Sequence, residues 1–416
     1  VNEHKSFLTF DLLVIGGGAA GFFGALAAAE FSPKARIILL EKSEHLLSKV
    51  KISGGGRCNV THQFSDVTSF SKNYPRGEKL IVRLLHQFSP LNTLQWFAKR
   101  GVNLKTESDG RMFPDTDTSQ TIVDCLQHEI DKFRIPVGTG ESVESIEKLE
   151  TGFRVITSKQ ELLVKSILIA TGGHPKLTGF EWLTKLGISI SAPVPSLFTF
   201  NLPDHPLQSL MGLSVQDVRV RVESTKLDTR GPLLITHWGF SGPAVLRCSA
   251  WGAKELAALN YHFRIRIHWM PELTQDEIRE FLSKQRISNP RKKVASRIFD
   301  SIPQRLWEAL CSRSGISDPI TWADLSGKLL NQLVESICAD AYQVKGKTTF
   351  KEEFVTSGGI SLSEIDPQTC MIRKIPGLFV AGEVMDVDGI TGGFNFQHAW
   401  SSSYVAGKSI AKFIQL

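Results

Sequence analysis

Residues 10–41 read FDLLVIGGGAAGFFGALAAAEFSPKARIILLE, and the order of these residues settles the architecture of the start of the chain. Residues 10–15 form an apolar run of buried-strand length; glycines follow, then an alanine-rich helix through Glu30, then a second apolar strand at 36–40 that ends in Glu41. Gly16-x-Gly18-x-x-Gly21 has the dinucleotide-binding spacing, which is weak when it stands alone. Here it follows a strand, opens a helix, and is trailed by a carboxylate, Glu41, 20 residues beyond Gly21. Glycines let the backbone approach a pyrophosphate, the helix N-terminus supplies amides and a favourable dipole, and Glu41 is placed to accept ribose hydroxyls. A carboxylate at that point suits FAD or NAD and repels the 2'-phosphate of NADP.

A chain of 416 residues exceeds one simple core, so a cofactor domain carrying insertions is expected. At 42% hydrophobic and 22% charged, with no low-complexity tract or repeat, the composition is that of a folded protein. The net charge of +6 and pI near 8.9 lean weakly toward polyanionic partners. Cys58, Cys125, Cys248, Cys311, Cys338 and Cys370 lie far apart in no CxxC or metal-ligand spacing. That excludes a zinc or disulfide framework as an expectation and fits a reduced, cytoplasmic setting. The run 12–29 imitates a signal peptide, but Asp11 directly precedes it and glycines interrupt it. Nothing else approaches a membrane span of about 20 apolar residues.

Further along, helical patterns cover 79–100 and 118–133, the second expected to open after Asp117 as its cap. Strands are expected at 153–157 and 162–170, the latter running into ATGG at 170–173, where a backbone turn must come close to something. After Pro193 the texture changes to alternating strands at 215–223 and 260–269. Asp217, Arg219, Arg221 and Glu223 share one face of the first, and His262, Arg264, Arg266 and His268 one face of the second. Residues 274–341 read as helical, with Pro303 and Pro319 as breakers and a basic stretch comprising Lys284, Arg286, Arg291, Lys292, Lys293 and Arg297. Strand-and-glycine texture returns at 354–359 and 377–382, and a last helix starts near Gly393. The return implies a discontinuous cofactor domain (1–192 and 346–416), an inserted β-rich domain (193–272 and about 340–345) and a helical domain (273–339).

Three later segments favour FAD over NAD. KISGGGRCNVT at 51–61 supplies a glycine loop, with Arg57 to lie against a flavin and its phosphates. GEVMD at 382–386 ends a C-terminal strand and places Asp386 for a polar chain such as ribityl. GGFNF at 392–396 starts the last helix, whose free N–H groups can stabilise negative charge at the flavin N1 and C2 oxygen. A nicotinamide enzyme has no need of such a far C-terminal return.

Taken together, GGGAAG at 16–21, SGGGRCNVT at 53–61, GRMFP at 110–114, ATGG at 170–173, THWGFSGPAVL at 236–246, VTSGGI at 355–360 and AGEVMDVDGITGGFNFQHAWSSS at 381–403 are highly specific. Across nearly its whole length the chain resembles the BaiN/RdsA-type family of NAD(P)/FAD-dependent flavoproteins. It departs at His398, where the family more often has Trp, and at Ser403, often Gly. The resemblance implies an α/β fold: a Rossmann-like, glutathione-reductase-like FAD-binding domain split by an inserted β-barrel-like domain and a small helical domain. It assigns the flavin first to Gly16, Gly18, Ala19, Ala20, Gly21, Glu41 and Lys42. Lys51, Gly55, Gly56, Arg57, Cys58 and Asn59 follow in the glycine loop, with Val143, Ala170, Thr171, Gly172 and Gly173 at the sheet. The C-terminal set is Gly382, Glu383, Asp386, Gly392, Gly393, Phe394, Asn395 and Phe396.

The implied chemistry is reduction of conjugated carbon–carbon double bonds. Family members are linked to dihydrouridine synthesis in large-subunit (23S) ribosomal RNA, and one branch is named for a bile-acid reduction. In both, reduced flavin N5 gives hydride to an electron-poor alkene carbon, C6 for uridine, and a protein acid protonates its neighbour, C5. Cys58 and His237 are the candidate acids, weighed against an inert packed thiol and a satisfied structural histidine. NADH or NADPH is expected as a transient reductant, since there is no second GxGxxG with a trailing acid. An RNA substrate requires phosphate-facing cations, for which Arg219, Arg221, Arg264, Arg266, Arg291, Lys292 and Lys293 are candidates beside the plainer reading of solvated surfaces. The rivals are a small-molecule ene-reductase and a non-catalytic flavin electron carrier. No metal, membrane or stable protein partner is expected.

Overall fold

Strand β1 (Leu8–Ile15) is apolar on both sides, with Leu12, Leu13 and Val14 wholly buried, as a strand must be when both sheet faces are covered. Helix α1 (Ala19–Phe31) is buried from Ala20 to Ala29 and leads to β2 (Ile37–Leu40), parallel to β1, with Leu12 beside Ile37 and Ile15 beside Leu40. On the other side of β1 runs β3 (Glu161–Ile169), also parallel. Val137–Gly138 extends the sheet beyond β2, while Phe153–Thr157 runs antiparallel onto the first half of β3 and Val143–Lys148 antiparallel onto Phe153–Thr157. The computed structural model describes residues 8–348 and 355–415. It divides the chain into two compact units, Val1–Ser196 with Phe350–Leu416, and Leu197–Thr349.

Two local expectations in the first unit need correction. The helical stretch 79–100 is two helices, Glu78–Gln87 and Pro90–Ala98. Pro90 lacks an amide donor, and Ser89 and Asn92 form a capping box, so the chain restarts there. The helix Gln120–Lys132 is preceded by Ser119, not capped by Asp117. Asp117 has a left-handed φ of 55°, and its carboxylate accepts from Lys105 and Arg57.

In the second unit β4 (Ser214–Val222), β5 (Asp228–Thr236), β6 (His262–His268) and β7 (Asp340–Lys345) belong to a seven-stranded antiparallel sheet. Its order is β7, β6, β4, β5, Gly239–Ser241, Thr199–Asn201, Lys347–Thr348. The two ends of that path are neighbours in sequence, so the sheet curls back on itself around Gly346. Val218, Val220 and Val222 of β4 and Phe263, Ile265 and Ile267 of β6 point into the core. Helices Gln275–Ser288, Gln304–Arg313 and Gly327–Cys338 each bury one stripe in that same core, through Ile278 and Leu282, Leu306 and Leu310, Leu330 and Val334. Residues 273–339 were expected to form a domain of their own. A helix with a single apolar stripe has one face to bury, and these spend it on the sheet. The two layers are also pinned by Asp340, which accepts from Trp269 at 3.0 Å and pairs with Arg313 at 2.8 Å.

The chain returns to the first unit with β8 (Val355–Ile360), paired antiparallel with Ile190–Ser196; Phe354, where the strand was expected to begin, lies outside the described residues. Strand β9 (Leu378–Val380) runs parallel along the second half of β3, and helix α2 (Phe394–Gln415) closes over α1. A Cβ on Gly407 would stand 2.7 Å from the Gly24 carbonyl oxygen, a helix approach that only glycine allows. Among the described residues no helix is long and apolar enough to cross a membrane.

Candidate cofactor site

The turn between β1 and α1 is tight on one side and open on the other. Gly16 has φ 115°, and a Cβ there would lie 2.4 Å from the Ala170 carbonyl oxygen; one on Gly21 would lie 1.8 Å from that of Gly16. At Gly18 a Cβ would meet nothing within 4 Å. Gly18 caps α1 without a side-chain hydrogen bond, and the first turn, with Ala19 and Ala20, carries no acid. The result is a helix N-terminus whose amides face open space, which suits a pyrophosphate. The half-buried Glu41 is held at the end of β2 by amides: Gly17 donates to Oε2 at 2.7 Å and Ser43 to Oε1 at 2.9 Å. Each oxygen keeps a lone pair for a ribose hydroxyl. Lys42 beside it is exposed, and Val143 opens the strand that follows Glu141, whose amide donates to the Glu41 carbonyl at 3.0 Å. These features fit the adenosine diphosphate half of FAD.

The glycine loop differs from expectation in its side chains. Gly54, Gly55 and Gly56 are all left-handed, and at Gly55 and Gly56 a Cβ would meet nothing, so the exposed ribbon is backbone alone. The Arg57 guanidinium is engaged by protein groups: it lies 4.0 Å above the Phe113 ring and pairs with Glu107 at 2.6 Å and Asp117 at 3.5 Å. Lys51 is exposed, and its carbonyl accepts from Ser119 Oγ at 2.6 Å. Cys58 is 0% exposed, with its thiol pushed up by burial to about 12, the surroundings of a packed thiol more than of a substrate-facing acid. Asn59, oriented to donate to the Thr61 carbonyl, accepts from the Gly393 amide at 3.0 Å and so ties this loop to the far end of the chain.

That far end is held by α2. The Gly382 amide donates to Ser402 Oγ at 2.9 Å, and its carbonyl is 3.1 Å from His398 Nε2. His398 is buried, which lowers its pKa to about 4 and keeps it neutral. Ser403 donates to the Ala20 carbonyl at 2.8 Å, so both departures from the family pattern serve to fix the turn regions. A Cβ on Gly382 would be 2.8 Å from that of Ala20, which brings the C-terminal return against the first turn of α1. Glu383 pairs with Lys49 at 2.6 Å and accepts from the Thr356 amide at 3.0 Å. Asp386 is half-buried, its amide bonded to the Ile360 carbonyl at 3.0 Å. Asn395 clamps Gly389 through both its amide nitrogen and its oxygen, and Phe396 stacks on Trp400.

Several residues that position this site are not among those expected from the sequence. His62 is 2.9 Å from the Gly392 carbonyl through Nδ1, and its ring stacks on Phe394 at 4.7 Å; it also lines a solvent-open cleft of about 390 Å³ with Gln63, Ser65, Ser108, Asp109 and Gly110. Tyr74 donates to the Phe394 carbonyl at 2.7 Å. Thr356 and Ser357 are fully buried, and among the described residues neither hydroxyl has a hydrogen-bond partner. Thr356 Oγ1 stands 2.8 Å from where a Gly173 Cβ would be, beside Gly172 and Thr171 of the ATGG turn. VTSGGI and ATGG were both conspicuous strings, but only the fold makes them neighbours.

The remaining candidates lie in the second unit. His237 is exposed on the turn after β5, its ring 4.1 Å from that of Trp238. Arg219, Arg221, Arg264 and Arg266 occupy one exposed sheet face, all in ion pairs with acids. Arg291 and Lys292 are exposed, and Lys293 pairs with Asp318 at 2.9 Å.

The chain is 30% identical over 411 residues to the ribosomal RNA dihydrouridine synthase of Escherichia coli, covering 96% of this chain and 98% of that one. It is 26% identical over 408 residues to the 3-dehydro-bile acid delta(4,6)-reductase of Clostridium scindens, with the same coverage. Among solved structures, a flavocytochrome c3 fumarate reductase superposes with a TM-score of 0.53 at 16% identity, covering 98% of this chain and 79% of that one. The 3-ketosteroid-delta4-(5alpha)-dehydrogenase of Rhodococcus jostii RHA1 gives 0.52 at 12%, covering 98% of each. At such identities the likeness concerns the fold. The model of the HI0933-like protein Rossmann domain matches residues 10–409. A match running unbroken from the first strand through the insertion to the last helix makes this chain a member of the HI0933-like family.

Proposed function

We propose that the chain is an FAD-dependent reductase of conjugated carbon–carbon double bonds whose substrate is a uridine of large-subunit ribosomal RNA, with NADH or NADPH as the electron source. The observation that carries the cofactor is the open helix N-terminus at Gly18 beside a carboxylate fixed by two amides. The 30% identity to a ribosomal RNA dihydrouridine synthase supports the substrate. The first-turn amides of α1 bind the pyrophosphate and Glu41 the ribose. The Gly382–Asp386 turn, immobilised by Ser402 and His398, carries the ribityl chain, and the amides at the start of α2 stabilise negative charge on the ring. FAD held there would supply the hydride for C6 of uracil, with C5 taking a proton. Burial of Cys58 favours another group as the source of that proton.

A second reading, reduction of a steroid-type enone, is favoured by the Clostridium scindens relative and needs the same hydride donor. Mass spectrometry of ribosomal RNA from cells with and without the gene separates the two. The RNA reading expects one uridine to gain two hydrogens only when the gene is present. Identical RNA in both, with turnover of an enone by the purified chain, selects the second reading.

A further inference from the structure

The exposed face of the inserted sheet holds an arrangement that strand pairing alone disfavours. In the observed register Arg219 of β4 stands directly opposite Arg230 of β5, and Arg221 directly opposite Arg266 of β6. Like charges directly opposite on neighbouring strands destabilise a sheet. Arg264 lies two residues along β6 on the same face, and His268 stands opposite Arg219. The alternate residues of both strands fill the core, so the five arginine side chains point outward, between 46% and 64% exposed.

The acids present only partly offset them. Asp228 serves Arg219 at 2.6 Å and Arg221 at 3.4 Å; Glu223 serves Arg266 at 2.7 Å and Arg264 at 3.7 Å; Asp217 pairs with Arg230. Five guanidinium groups thus share three carboxylates. Glu272 acts on Arg230 and His268 at one end, and Lys345 stands opposite His262 at the other. Each guanidinium has five donors, and two carboxylates divided among four of them leave many for another acceptor. Arg221 does face Asp228 across the strands, but Arg219 against Arg230 and Arg221 against Arg266 remain like-charged pairings.

We propose that this face grips the phosphate backbone of the RNA substrate, an inference that rests on the ribosomal RNA reading above. A phosphate oxygen between two facing arginines turns their repulsion into a clamp, with the bidentate geometry that guanidinium favours. The face offers no exposed aromatic or large apolar side chain to anchor a protein partner. It contacts backbone and not bases, so it orients the RNA without reading its sequence.

The test uses the full-length chain and protein-free large-subunit ribosomal RNA transcribed without modification, with binding followed by fluorescence anisotropy over a range of salt. In R221Q/R266Q, Asp228 keeps Arg219 and Glu223 keeps Arg264, so no acid is orphaned. The double variant is expected to bind roughly tenfold more weakly and to lose roughly one to two units of the log K against log salt slope. Its melting temperature should hold or rise, because the Arg221–Arg266 like-charge pair is gone. Unchanged affinity and slope, with wild type binding RNA, overturns the assignment of this face and leaves the RNA reading standing; a face serving an acidic protein would give that result. A fall in melting temperature accompanying the loss makes the arginines structural and also overturns it. Failure of the wild type to bind any RNA overturns both.

Discussion

The cofactor crevice and the outer face of the inserted sheet are built from opposite materials. The crevice is lined by backbone: glycines at 16, 18, 55, 56, 172 and 382, amides at the start of two helices, and one carboxylate that amides hold in place. The sheet face is made of long side chains whose positions depend on strand register. Backbone donors are fixed once the fold is fixed, which suits a tightly held prosthetic group. Arginines are adaptable, which suits a large polyanion that must be bound and released.

The largest predicted effect sharpens this contrast within a single turn. Gly16→Val would place a branched side chain against the Ala170 carbonyl at a left-handed φ, and the chain is expected to accumulate no folded protein. Gly18→Val meets no protein atom within 4 Å of its Cβ; it is expected to fold with an unchanged circular dichroism spectrum and to bind FAD at least about a hundredfold more weakly, because the side chain occupies the approach of the phosphates. If Gly18→Val copurifies with a full complement of FAD, the crevice is not where the pyrophosphate lies.

In the inserted unit, Asp340→Ala strips Arg313 and Trp269 of their shared acceptor. About 3 kcal/mol of stability should be lost, read from the shift of the urea unfolding midpoint. A shift below about 1 kcal/mol would mean that apolar packing alone joins the helices to the sheet.

The pH dependence of stability probes the clamp on Gly382. His398 is depressed to about 4 when folded, from an ordinary value near 6.5, so between these values the unfolded chain binds the extra proton. This contribution is complete above pH 6.5 and falls away as pH drops toward 4, by at most about 1.4 kcal/mol per unit. His398→Gln should flatten the acid limb of a stability profile measured between pH 4 and 7 by up to one proton. An unaltered limb would place the titration elsewhere.

Cys58→Ala carries the smallest expected change. Losing a general acid typically slows turnover by about 10² to 10⁴-fold, whereas loss of a buried thiol should alter it by less than about threefold. A hundredfold loss with normal FAD content would restore Cys58 to the chemistry.

The same contrast explains what could be read from the sequence. The strand, glycine turn, helix and trailing Glu41 are consecutive, and the glycines at 382 and 392–393 mark the C-terminal return, so the split cofactor domain was legible. The surroundings of Arg57 and Cys58 are not legible in the sequence because they come from afar: Glu107 and Asp117 lie 50 and 60 residues from Arg57, and Cys58 is buried by the fold. The helical insertion was set apart because its periodicity shows that each helix has an apolar stripe, but not which surface covers it. Alternation placed Arg219 and Arg221 on one face of β4; only the register revealed Arg230 and Arg266 opposite them.

The most direct test is an anaerobic single turnover. The purified chain, loaded with FAD and reduced by a stoichiometric amount of NADH or NADPH, is mixed with unmodified large-subunit ribosomal RNA, and dihydrouridine is counted per flavin. The account predicts reoxidation with one dihydrouridine formed for each flavin. A chain that takes up no FAD, or one that stays reduced while the RNA remains unchanged, contradicts it.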